Sequence, residues 1–197
     1  MAKGTWEPAE ALSMIELAVR NPYDPDVVAK RREAAARDRW PRDTNAWRSL
    51  WESLPPPLQA DPPALIASMV GAGDEAGVAD IAAGLERRAR NLLKDIVDPC
   101  AEISFRALRV GAALAAIVGN TPMMDDVRRT SWAAAFGERL DIPLGMPRLF
   151  QTTPVLVEGQ TGTGKELVAQ ALCLSMPGSW KRGQGWTAAP TESVHLA

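Results

Sequence analysis

The amino-acid sequence predicts an α/β chain in two parts: an all-helical region over residues 1–112 and, over 113–197, an incomplete parallel-sheet core built around a phosphate-binding loop. Three observations predict it. Residues 153–172, TPVLVEGQTGTGKELVAQAL, read in unbroken succession as strand, glycine-rich turn and helix. Apolar residues in roughly the first hundred positions recur at helical spacing between proline and glycine stops. Finally, the residues after Glu166 suffice for one helix and a short tail, so the rest of the sheet is missing from the sequence as read.

The chain opens with a helix that has Pro8 at its first position, carries Leu12, Ile15 and Leu17 to Val19, and ends near Asn21-Pro22. A second helix begins near Asp24 to Asp26. Its basic residues Lys30, Arg31, Arg32, Arg37 and Arg39 are interrupted by Glu33 and Asp38, which fits a solvated face better than a nucleic-acid surface. Trp47 and Trp51, one helical turn apart after a possible Thr44 cap, read as core anchors. Pro55-Pro56-Pro57 and Asp61-Pro62-Pro63 punctuate the chain before a helix over Ala64–Val70.

Residues 71–77, GAGDEAG, form a loop with Asp74 as a cap, and an amphipathic helix comes next over Val78–Val97 with Ile81, Leu85, Leu92 and Ile96 inward. Asp98-Pro99 breaks it, and Ala101–Ala116 reads as a further helix with small residues suited to close packing. Gly119-Asn120 marks a helix end. Thr121 then caps a new helix with Pro122 at its first position and Asp125 and Asp126 at its positive end, running to about Phe136. Gly137–Thr152 leads into the strand Val155–Val157, whose short apolar, β-branched run suits a fully buried parallel position.

Gly159, Gln160, Thr161, Gly162, Thr163, Gly164, Lys165 and Glu166 make the loop GQTGTGKE. Its glycines allow successive backbone N–H groups to approach a phosphate, Lys165 supplies a mobile positive charge, and the helix bearing Leu167, Val168, Ala171 and Leu172 directs its positive end at the same anion. The bland alternative is a glycine-rich turn that binds nothing. Glu166 stands where most such loops carry Ser or Thr to ligate magnesium, so no magnesium ligand is identifiable in the chain.

GQTGTGKELVAQAL resembles the nucleotide-binding loop of the AAA+ domain in bacterial enhancer-binding proteins, the activators of sigma-54 RNA polymerase, in which Glu commonly follows the Lys. Residues 117–127, IVGNTPMMDDV, are similar to the segment that opens that domain, and residues 188–193, AAPTES, more weakly to a region beyond its second strand. The resemblance implies the N-terminal part of a P-loop NTPase, bound ATP with Mg2+, and Val118 and Gly119 against the adenine. It also implies sigma-54 polymerase as a partner and self-association into a ring in a full-length form. The Walker B acids, the GAFTGA loop, the sensors, the arginine finger and the helical lid have no counterpart, so catalytic residues cannot be named. SWKRGQG, residues 179–185, replaces the second apolar strand and is expected not to form one.

With 46% hydrophobic and 23% charged residues, the composition is that of an ordinary globular protein. A net charge of −2 proposes neither nucleic acid nor an anionic membrane as partner, and no DNA-binding motif is visible. No apolar run approaches the ~20 residues of a membrane span, which makes the cytoplasm the expected compartment. Cys100 and Cys173 have no metal-site spacing and read as free thiols; the lone His195 reads as a packing or surface residue. Two functions remain open: an ATP-binding, sigma-54-interacting regulator of transcription, read as a fragment of a longer activator, or a truncated non-enzymatic remnant that binds a partner through its helical front and at most holds nucleotide.

Overall fold

The computed structural model describes residues 6–88, 95–145, 154–176, 178–181 and 185–188. Helices succeed one another along the chain: α1 (Pro8–Val19), α2 (Pro25–Ala36), α3 (Thr44–Glu52), the single turn α4 (Pro56–Gln59), α5 (Pro62–Val70), α6 (Glu75–Arg88), α7 (Val97–Ala116), α8 (Pro122–Phe136), the short α9 (Ile142–Gly145) and α10 (Lys165–Cys173). Proline opens α1, α2, α4, α5 and α8, where its missing N–H costs no helical bond. Side-chain caps fix several starts. The Asp24 carboxylate accepts from the amides of Asp26 and Val27, Asp43 from Ala46, Asp74 from Gly77 and Thr121 from Met124, each worth about 1 kcal/mol.

α5 is apolar on every side, and Ala64 to Met69 are buried. Such a helix must be surrounded, and α1, α3, α6 and α7 pack against it. α7 contributes Cys100, Ile103, Phe105, Val110 and Leu114 to the same core. Trp47 and Trp51 of α3 are buried as their spacing predicted, although the cap of α3 is Asp43 and not Thr44. Pro99 lies in the first turn of α7, so the helix starts earlier than the Asp98-Pro99 stop implied.

α7 runs through position 112, and α8 packs on it. After α8 the chain turns at Gly137 and returns to the end of α1. There the amide of Asn21 donates to the Glu138 carbonyl (3.0 Å), that of Leu140 donates to the Val19 carbonyl (2.9 Å), and Arg139 pairs with Glu16 and Asp141. Residues 137–141, expected to lead towards a strand, thus fasten the two ends of a helical body.

The parallel-sheet P-loop core expected over 113–197 is overturned: the fold is helical, and among the described residues there is no parallel strand. Residues 154–160 belong to no ladder, and Val155 and Leu156 are 48% and 81% exposed. A parallel strand needs paired neighbours and covered faces, and none is present here among the described residues. The one ladder among them is an antiparallel hairpin of β1 (Gly178–Lys181) with β2 (Gly185–Ala188), pairing Trp180 with Trp186. β1 and the first residue of β2 overlap residues 179–185, the stretch expected to form no strand, and β1 lies against α7. No helix among the described residues is long and apolar enough to cross a membrane. Leu92, His195 and positions 189–193 of the AAPTES match lie outside the described residues.

Candidate functional site

α10 is held to the helical body by Ala171, which is fully buried, with Val168 and Leu172 packed beside it; Leu167, expected on the same face, is half exposed. This anchoring presents the N-terminal end of α10 and the preceding loop to solvent. Gly162 and Gly164 have φ of +82° and +84°, a left-handed backbone that side-chain-bearing residues seldom adopt. A Cβ on Gly159 would stand 3.0 Å from the Thr163 hydroxyl oxygen. The sequence therefore turns here because glycine occupies the positions that need it.

The loop is stapled from within. The Thr163 hydroxyl donates to the Gln160 carbonyl at 2.7 Å, and the Thr163 amide donates to the same carbonyl at 3.3 Å. Lys165 folds back so that Nζ donates to the carbonyls of Gly159 (2.6 Å) and Gln160 (3.0 Å). The first amides to bond within the helix are those of Leu167 and Val168, which donate to the Gly164 carbonyl. Among the described residues, the amides of Gly162, Gly164, Lys165 and Glu166 have no protein acceptor. Open N–H groups, the positive end of a helix and an ammonium form a donor set suited to an anion with several oxygens. Thr161 and Glu166 are exposed at its edge. No group of three His, Cys, Asp or Glu side chains among the described residues could hold a metal ion.

Val118 and Gly119 lie elsewhere in the backbone, at the end of α7. Val118 is 93% exposed. Gly119 has φ +134°, and a Cβ there would meet Met124 Cγ at 2.7 Å. Arg128, which no sequence motif singled out, organises this turn. Its Nε donates to the Leu114 carbonyl (3.2 Å), its Nη2 to the carbonyls of Ile117 (2.7 Å) and Gly119 (2.8 Å), and its Nη1 to Asp125 (3.0 Å). Among the described residues no hydrogen bond joins Val118 or Gly119 to the loop. The sequence signal for Arg128 is a basic residue one turn and a half into a helix that succeeds another helix's end, a pattern too common to single it out.

No family model, curated protein or solved structure matches the chain.

Proposed function

We propose that this protein binds ATP through the loop from Gly159 to Glu166, as a regulator of transcription related in sequence to the activators of sigma-54 polymerase. The observation that carries the reading is the open donor set: amides at Gly162, Gly164, Lys165 and Glu166 without protein acceptors, beside a lysine whose carbonyl contacts a phosphate oxygen would replace. Likeness of GQTGTGKELVAQAL and IVGNTPMMDDV to the activators supports the nucleotide and the regulatory role. ATP would arrive as its magnesium complex, with Val118 and Gly119 proposed to meet the base in the bound state. Sigma-54 polymerase and further copies of the protein are the proposed partners, in the cytoplasm. Charge-assisted contacts to phosphate contribute roughly 1.5–3 kcal/mol, so calorimetry should show ATP binding weakened about ten- to a hundredfold in Lys165→Ala. Equal affinity in both proteins would remove the loop from the site.

The helical body favours a second reading, in which the protein acts by binding a partner and the loop only holds nucleotide. Phosphoryl transfer needs a metal-holding acid and a positioned water, and Glu166 stands in this loop where most such loops carry the Ser or Thr that ligates magnesium. Steady ATP turnover by the purified chain, lost in Lys165→Ala, would decide for an enzyme; turnover at the background rate is the outcome we expect.

A further inference from the structure

Arg31 sits on α2 and reaches across to the end of α1. Its Nε and Nη2 donate to the carbonyl of Leu17 (3.2 and 2.6 Å), and Nη2 also donates to those of Ala18 (3.2 Å) and Arg20 (3.5 Å). These bonds satisfy carbonyls left open at a helix end, but they use only part of the guanidinium. Among the described residues Nη1 has no acceptor, and no carboxylate pairs with Arg31. Burial pushes its pKa down to about 10, so the group stays charged at neutral pH without a counter-ion.

The same guanidinium lies over the ring of Trp40, 5.2 Å from its centroid, and Trp40 meets Trp47 edge to face at 5.4 Å. A cleft of about 370 Å³ opens between them, walled also by Pro41, Arg42 and Gly71. That volume is within the range of small-molecule sites, roughly 300–1,000 Å³. The Trp47 Nε1–H has no acceptor among the described residues either, and the Arg42 partner, Asp38, is an exposed rim contact at 2.8 Å. No lining residue is acidic. The polar groups of the cleft therefore donate, its net charge is positive, and its remaining walls are flat and apolar. A larger groove of about 440 Å³ between α1 and α2 differs: its Arg37 and Arg39 are already paired with Glu33 and Glu10.

We propose that the cleft walled by Arg31, Trp40 and Trp47 is a binding site for a small carboxylate with a flat apolar body. The carboxylate accepts from Arg31 Nη1 and supplies the missing counter-charge, and the body stacks on the half-exposed indole of Trp40. This site is independent of the glycine-rich loop.

Benzoate, with neutral benzyl alcohol as its control, tests the proposal on the full chain by calorimetry and tryptophan fluorescence. Benzoate is expected to bind saturably with a Kd of about 1 mM or tighter, about tenfold tighter than benzyl alcohol. Trp40→Leu and Arg31→Gln should each weaken it about tenfold or more, whereas Lys165→Ala should leave it unchanged. If Arg31→Gln loses its helical circular dichroism because α1 is uncapped, Trp40→Leu alone decides. Absence of saturation below about 10 mM, equal binding of alcohol and acid, undiminished binding in Trp40→Leu, or loss of binding in Lys165→Ala would each overturn the assignment.

Discussion

Arg128 shows how one side chain fixes the junction of two helices. It spans the end of α7 and the first turn of α8, bonding three carbonyls and Asp125 from a buried position. Removing it leaves buried carbonyls unsatisfied, so Arg128→Ala should lower unfolding stability by about 2–3 kcal/mol in urea titrations; a change below about 0.5 kcal/mol, the scale of surface substitutions, would contradict this role. Cys100 belongs to the same core. Burial, reinforced by Asp141, pushes its thiol up from an ordinary 9.0 to about 12, so iodoacetamide should modify the half-exposed Cys173 well before Cys100, as peptide mass spectrometry would show. On raising the pH the unfolded chain loses this proton first, so the thiol's contribution to stability is complete below pH 9 and is lost between about 9 and 12. Cys100→Ala should accordingly flatten the alkaline fall of the urea midpoint, and an unchanged slope would refute the assignment.

Whole helices were legible where local chemistry sets their ends. Thr121-Pro122 starts α8 and Gly137 closes it, as the sequence predicted, because a cap and a proline act within one turn. Contacts between helices were not legible. The basic run on α2 reads as a solvated face, yet Arg31 is turned onto the carbonyls of α1, since the open end of another helix lies beside it. Gly71 after α5 reads as a loop glycine, yet a Cβ there would fall 2.3 Å from Trp47 Nε1. Its φ is unexceptional at −65°, so the constraint is space. Gly71→Ala should cost about 1–3 kcal/mol by displacing a buried indole, and differential scanning calorimetry should register the lower melting temperature.

Across the whole molecule, the helical body was legible and the sheet was misread for one reason. A run such as Val155–Val157 marks a strand only if other strands pair with it, and pairing is not a property of the run. The loop after it was legible because its demands are local: left-handed backbone at Gly162 and Gly164 and a lysine at the first position of the helix. The adenine contact by Val118 and Gly119 is an expectation carried by resemblance, and the helix end there, clamped by Arg128, is compatible with it. The central claim is that the loop is where ATP binds. Hydrogen exchange read by mass spectrometry, with and without ATP, tests it most directly. Amides of residues 162–166, open in the structure at Gly162, Gly164, Lys165 and Glu166, should slow about tenfold or more on adding ATP, with α5 and α7 unaffected and the effect absent in Lys165→Ala. Unchanged exchange at 162–166 under saturating ATP, or protection centred on another part of the chain, would contradict it.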